Sequence, residues 1–311
     1  MELRQLRYFV AVAEERNFGR AAQRLHLSQP PLSTQIKALE AELGTTLLER
    51  STRRVALTDA GRAFLGRARE ILAAVEEAGA EARGAAQGTR GRLAIGFVSS
   101  ATLSLLPTAL GIFRERYPGV DLDLQELASG EQVDALYEGR IEAGLVRLPM
   151  RSPEIRFEPL LEEPMIVALP TGHALEAKRS LSLRDIAPLP LIFFQRRLEP
   201  GSHAQIVELL ATVGALPRVT QYAVHLQTVI GLVASGMGIA LLAESSGNLH
   251  REGVVYRKLR AAEARSTLGL ARLDREDSLL VDRFREILRE VARRDFRRWT
   301  APTGGGSGKT A

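Results

Sequence analysis

Not one cysteine occurs among the 311 residues, which excludes disulfides, thiolate nucleophiles and cysteine-based zinc sites. No run approaches ~18 consecutive apolar residues, and the N-terminus is a charged, helix-forming segment instead of an apolar export core. Neither membrane insertion nor secretion is therefore expected, and a cytoplasmic location is the default. His26, His173, His203, His225 and His250 are scattered singly, with no i, i+4 pair and no His-Glu-x-x-His arrangement, so no metal site is expected. No Gly-x-Ser-x-Gly elbow surrounds a serine, and the carboxylates form no convincing acid/base pair. A phosphate-binding loop is missing as well. Gly308-Lys309-Thr310 would need a glycine at position 303, which is Thr303; no strand leads in directly and no helix can follow, so residues 301–311 read as a disordered tail. Together these absences speak against an enzyme and against a cofactor.

What is present is ordinary for a soluble chain of two or three domains: 45% hydrophobic and 25% charged residues. A formal net charge of +5 and an isoelectric point near 9.9 favour a polyanionic partner without deciding it.

The most informative stretch runs from Asn17 to Leu43, where two short helices meet at a sharp corner. Phe18, Ala21, Ala22 and Leu25 fall at i, i+3, i+4 and i+7, one apolar stripe on a helix that Asn17 can cap. Ser28 starts a second helix as its cap, and Pro30 and Pro31 are tolerated in the first turn, where backbone N–H groups have no intrahelical partner. Leu32, Ile36, Leu39 and Leu43 form its buried stripe. Ser33, Thr34 and Lys37 then point the other way, with Gln29 at the exposed end, as in a helix that meets base edges and phosphates. Leu3, Leu6, Val10 and Ala13 supply a preceding amphipathic helix. Thr46 to Leu57 reads as a β-hairpin wing around an Arg-rich turn, with Arg50, Arg53 and Arg54 near the phosphate backbone.

These residues resemble a LysR-type transcriptional regulator. The matching positions are Leu3 to Phe9, Arg20-Ala21-Ala22, Leu25-His26-Leu27-Ser28-Gln29-Pro30, Leu48-Glu49-Arg50 and Leu57-Thr58-Asp59-Ala60-Gly61. The resemblance implies an N-terminal winged helix-turn-helix, joined by a long linker helix to a two-lobed α/β domain like a periplasmic binding protein. It also implies DNA contacts from Gln29, Pro30, Pro31, Ser33, Thr34, Lys37, Arg50, Arg53 and Arg54.

From Thr58 the pattern becomes one long helix. Phe64, Ala68, Ile71, Val75, Ala78 and Ala82 step 4-3-4-3-4, the spacing of a heptad seam. The alternative is an amphipathic helix folded back on its own domain; in the resembling family this helix dimerises. Helical from Asp59 to Ala85, it would span roughly 40 Å, and Gly84, Gly88 and Gly91 then mark a hinge.

Beyond the hinge, strand-like and helix-like segments alternate: strand 93–98, helix 103–116, strand 120–127, helix 131–138 and strand 141–146. A second unit follows, with a strand over 189–195, helices over 205–213 and 225–235 and a strand over 238–242. A strand at 267–273 and a helix at 279–293 close the chain. Such order implies a largely parallel sheet with helices on both faces. The expected domains are residues 1–58 (winged head), 59–91 (dimerising linker and hinge) and 92–300 (effector-binding body), then the 301–311 tail. By the resemblance the body divides into lobe I, about 92–162 and 267–300, and lobe II, about 163–266.

Ligands of such sheets bind in the crevice at strand carboxyl ends. Ser99, Ser100 and Thr102 follow the first strand at a helix N-terminus, a ready anion site. Ser129 faces the same edge, and Arg147 can offer a bidentate fork to a carboxylate. The resemblance adds Phe194, Gln195, Pro200, Ser202, His203 and Val224 from lobe II. The expected effector is a small carboxylate, with aromatic acids among the candidates. The expected partners are double-stranded DNA with an interrupted dyad operator, that effector, a second copy of the chain and, beyond it, a dimer of dimers, with RNA polymerase a further candidate. Two competing readings stay open: a binding-protein-fold enzyme, and an architectural DNA-binding protein without effector.

Overall fold

The computed structural model describes residues 1–50, 55–274 and 278–300, without the side chains of 295–300. Contacts divide the chain into two compact units, Met1–Ala86 and Gln87–Ala311.

The first unit opens with α1 (Leu3–Glu15), α2 (Phe18–Arg24) and α3 (Gln29–Leu43), followed by the antiparallel hairpin β1 (Leu48–Arg50) and β2 (Val55–Leu57) and then α4 (Asp59–Ala86). Leu6, Phe9 and Val12 of α1, Ala21 and Ala22 of α2 and Leu32, Ile36 and Leu39 of α3 close one core, with Phe9 stacked at 5.2 Å on Phe64. Asn17 accepts a hydrogen bond from the Arg20 amide at 3.0 Å and caps α2 as expected. Ser28 holds the cap position of α3 without a side-chain hydrogen bond. The reason is local: the second and third residues of that helix are Pro30 and Pro31, so the N–H groups a cap would bind do not exist. Leu43, expected in the buried stripe, is exposed, being the last residue before Gly44 turns left-handed and ends the helix. Leu3 is exposed as well. Thr58 accepts from the Gly61 amide at 2.9 Å at the start of α4 and donates to the Thr46 carbonyl at 2.8 Å, fastening that helix to the wing.

The seam expected along α4 divides in two. Ala68 is fully buried in the head's own core and is not free for a second chain, whereas Phe64 is half-buried against that core. Their helical turns belong to the head, since the three-helix motif needs a fourth element to cover Phe9. Ile71 and Val75, each 38% exposed, and Ala78 are outside that core.

The second unit comprises two lobes. In lobe I, β3 (Arg90–Phe97), β4 (Gly119–Glu126) and β5 (Ala143–Leu148) run parallel. The long strand β6 (Ile155–Pro170) leaves this lobe for the second, and β12 (Arg265–Leu273) returns, pairing antiparallel with both β5 and β6. Helices α5 (Leu105–Arg116) and α10 (Leu279–Thr300) cover one face, where Phe113 meets Phe284, and α6 (Ser129–Tyr137) covers the other. Alternation along the strands sends Leu145 and Leu270 to the first face and Val146 and Ala271 to the second.

In lobe II the remainder of β6 pairs with β10 (Ala240–Ala243) and β11 (Val254–Leu259), and β7 (Ser180–Leu181) joins β11. The short helix α7 (Leu183–Ile186) leads to β8 (Pro190–Phe194), which pairs with β9 (Arg218–Ala223). Met165, Val167 and Leu169 of β6 pack beneath α8 (Pro200–Ala211), while Ile166 and Ala168 face α9 (Leu226–Ala234). The sheet is mixed instead of largely parallel, because β6 and β12 are the two crossings between lobes and traverse in opposite directions.

Candidate functional site

At the corner of the head, α2 and α3 are separated by four residues, with His26 in a left-handed conformation at φ 54°. This leaves the N-terminal turn of α3 outermost: Gln29, Pro30, Pro31 and Thr34 are exposed, Ser33 is half-buried and Lys37 is exposed one turn on. The Thr34 hydroxyl donates to the Pro30 carbonyl at 3.1 Å. The carboxylate of Glu40 accepts from the Leu47 and Leu48 amides at 3.0 Å each and from Arg50 at 2.6 Å, so one acid on α3 holds the first wing strand in place. The Arg50 guanidinium lies between Glu40 and the Phe18 ring, 5.1 Å from the ring centroid, and is partly exposed. Arg53 and Arg54 lie outside the described residues.

In the second unit the carboxyl ends of β3, β4 and β5 face lobe II across a narrow cleft, part of it open to solvent. Val98, Leu127, Met165, Phe194, Ile206 and Leu241 give it apolar walls, and Ser99, Ser100, Arg147, Ser202, His225 and Ser246 are among its polar groups. Arg147, which ends the run Gly144-Leu145-Val146, is only 4% exposed. Its Nη1 donates to Glu163 at 3.0 Å and to Ser266 at 3.1 Å, and its Nε to Ser100 at 3.0 Å. Glu163 and Ser266 lie where β6 and β12 cross between lobes, and the second oxygen of Glu163 accepts from the Ser245 amide at 2.8 Å. Nη2 of Arg147 is buried with no hydrogen-bond partner among the described residues. A buried guanidinium N–H without a partner is costly.

The serines expected to cradle an anion are differently engaged. Ser99 donates its hydroxyl to Glu126 at the end of β4. Ser129 is fully buried and does not line the cleft; its amide and hydroxyl both donate to Glu199, at 3.1 and 2.8 Å. Glu199 precedes α8 in lobe II, so a carboxylate from one lobe already fills the helix N-terminus of the other, where backbone N–H groups and the helix dipole favour negative charge. Burial pushes the Glu199 carboxyl above the usual carboxylate range, and the bonds from Ser129 pull partly against this. Glycines make the closeness possible. A Cβ on Gly130 would sit 2.3 Å from the Arg197 carbonyl, and one on Gly201 would sit 2.2 Å from the Arg147 carbonyl.

Six of the eleven predicted effector residues thus line one cleft: Ser99, Ser100, Arg147, Phe194, Ser202 and Val224. Five do not. Thr102 is exposed and donates to the Ser99 carbonyl at 2.7 Å. Gln195 offers its carbonyl to the Leu198 and Glu199 amides in the turn before α8, and Pro200 occupies the first turn of that helix. His203 packs edge-on against Phe193 at 4.9 Å, where burial lowers its pKa. Ser129 is sealed by Glu199. Sequence reasoning passed over Glu126, Glu163 and Glu199. For Glu199 the available signal was an acid immediately before Pro200, itself a helix-start residue.

Residues 3–62 match the family described as bacterial regulatory helix-turn-helix protein, lysR family, and residues 86–293 match the LysR substrate binding domain. The chain is 39% identical over 259 residues to the HTH-type transcriptional regulator AlsR of Bacillus subtilis, covering 83% of this chain and 86% of that protein. It is 40% identical over 260 residues to the Hca operon transcriptional activator HcaR of Escherichia coli, covering 83% and 87%. Among solved structures, full-length CbnR complexed with its target DNA superposes with a TM-score of 0.79 at 30% identity, covering 94% of this chain and all of that one.

Proposed function

Since the chain belongs to the LysR family of DNA-binding, ligand-responsive transcriptional regulators, we propose that its effector is a small carboxylate held by Arg147 in the cleft between the lobes. The observation that carries this reading is the buried Nη2 of Arg147, without a hydrogen-bond partner among the described residues, in a residue that lines a cleft with several apolar walls. A carboxylate there would gain a charge-assisted hydrogen bond, worth about 1.5–3 kcal/mol. Phe194 suits an aromatic or branched remainder of the ligand.

The heads act in pairs in this proposal. Ile71, Val75 and Ala78 of α4 meet the same residues of a second copy, and two heads read an interrupted dyad through Gln29, Ser33 and Thr34, with Lys37 toward phosphates. Dimers of dimers and contact with RNA polymerase would extend the same arrangement, inside the cell where the DNA is. Effector binding shifts the population of lobe arrangements and hence the spacing of the heads.

Titration calorimetry of the full chain with aromatic and aliphatic acids tests the effector. Binding should be lost when Arg147→Gln is combined with Glu163→Gln, which removes both buried charges together. Binding of neutral or cationic compounds alone, or full retention of acid affinity by that double variant, would overturn the reading.

A further inference from the structure

The cleft has two places built for negative charge, and this chain fills one of them itself. At the N-terminus of α6 the Ser129 amide and hydroxyl both donate to Glu199, whose side chain is buried from solvent. The other place is the unpartnered Nη2 of Arg147. The Arg147 amide donates to the Ser129 hydroxyl at 3.1 Å, and Arg147 and Glu199 line the same cleft. At the opposite side of the cleft Glu126 accepts from Ser99 and lies 3.9 Å from His225, adding a second acid to the lining. The charged and titratable groups facing a ligand are therefore Arg147 against Glu126 and Glu199, with His225 beside Glu126.

Resting on the carboxylate reading above, we propose that Glu199 is the specificity-determining residue that restricts the effector to monocarboxylates and turns dicarboxylates away. A first carboxylate on Arg147 takes up its Nη2, which has no hydrogen-bond partner among the described residues. A second meets Glu126 and Glu199, which line the same cleft, in a partly dry space where like charges repel. Apolar walls from Val98, Leu127, Met165 and Phe194 suit the uncharged remainder of a monoanion.

The test compares matched pairs on the full chain by calorimetry at constant ionic strength, benzoate with terephthalate and butyrate with succinate, with benzamide and butyramide as neutral controls. In the wild-type chain each monocarboxylate should bind about tenfold or more tighter than its dicarboxylate partner. In Glu199→Gln, which keeps the shape and removes the charge, that ratio should narrow by several-fold, provided circular dichroism shows the same fold; the wild-type comparison stands by itself if the variant does not fold. Equal or tighter binding of dicarboxylates by the wild-type chain overturns the proposal and leaves the carboxylate site intact. An unchanged ratio in a folded Glu199→Gln also overturns it. Binding of the amides alone, or of no acid at all, defeats the Arg147 site and this inference with it.

Discussion

Glu163 sits fully buried against Arg147, and removing one member of such a pair leaves the other charge uncompensated in the interior. Glu163→Gln should therefore destabilise the second unit by about 3 kcal/mol, and the neutral double variant with Arg147→Gln should recover part of the loss. Urea unfolding of the full chain checks this, and equal stabilities of the single variant and the parent would refute the pairing. Glu199 carries a pH consequence. Its folded pKa is raised by burial, so its contribution to stability is complete below its unfolded value near 4.5 and is lost as pH rises through the raised folded value. As pH rises from 4.5, stability should fall more steeply in the parent than in Glu199→Gln; matching slopes would contradict the raised value. At this scale the sequence makes Ser99, Ser100 and Arg147 legible, because a residue directly after a strand of an α/β sheet falls at the crevice. Glu199 is not legible, because Ser129, its partner, is 70 residues away and no local periodicity connects them.

Helices α3 and α4 show where periodicity serves and where it stops. The apolar stripes of α1, α2 and α3 place the core of the head, and the structure leaves Gln29 and Lys37 outward. Gln29→Ala should relax sequence preference and cost about 1–3 kcal/mol on the best site, while Lys37→Ala should weaken all sequences and lower the salt slope by about one. Fluorescence anisotropy on specific and random duplexes distinguishes the two, and identical loss on both DNAs for both variants would contradict the assignment. On α4 the heptad spacing does not reveal that Ala68 faces inward while Ile71 and Val75 remain exposed. Ile71→Asp should weaken dimerisation and leave the head folded, whereas Ala68→Asp should unfold the head itself. Sedimentation at micromolar concentration and circular dichroism read the two effects; a wild-type oligomer for Ile71→Asp would mean that the helix pairs elsewhere. The strand β6 is hidden in the sequence by Pro159 and Pro164, which discourage a strand reading. Both are accommodated. Pro159 lies beside a register shift where β12 passes from Leu268 to Gly269, and at Pro164 the pairing of β6 changes from β12 to β10. β9 and β11 were missed as well; both are six-residue strands with largely exposed or half-buried faces.

At the scale of the molecule, the crossing strand β6 carries a buried charge that contacts both lobes, since Glu163 binds Arg147 of lobe I and the Ser245 amide of lobe II. A ligand that engages Arg147 therefore acts on the same network that holds the lobes together, which gives effector binding a physical route to the arrangement of lobes. Among the described residues no helix is long and apolar enough to cross a membrane. The most direct measurement is a footprint of the full chain on DNA selected from a random pool, with and without a bound acid. The predicted result is an interrupted dyad whose protected region changes when the acid is added, with that change abolished by Arg147→Gln combined with Glu163→Gln while the dyad remains bound. A footprint that no acid alters, or a double variant that responds as the parent does, would contradict it.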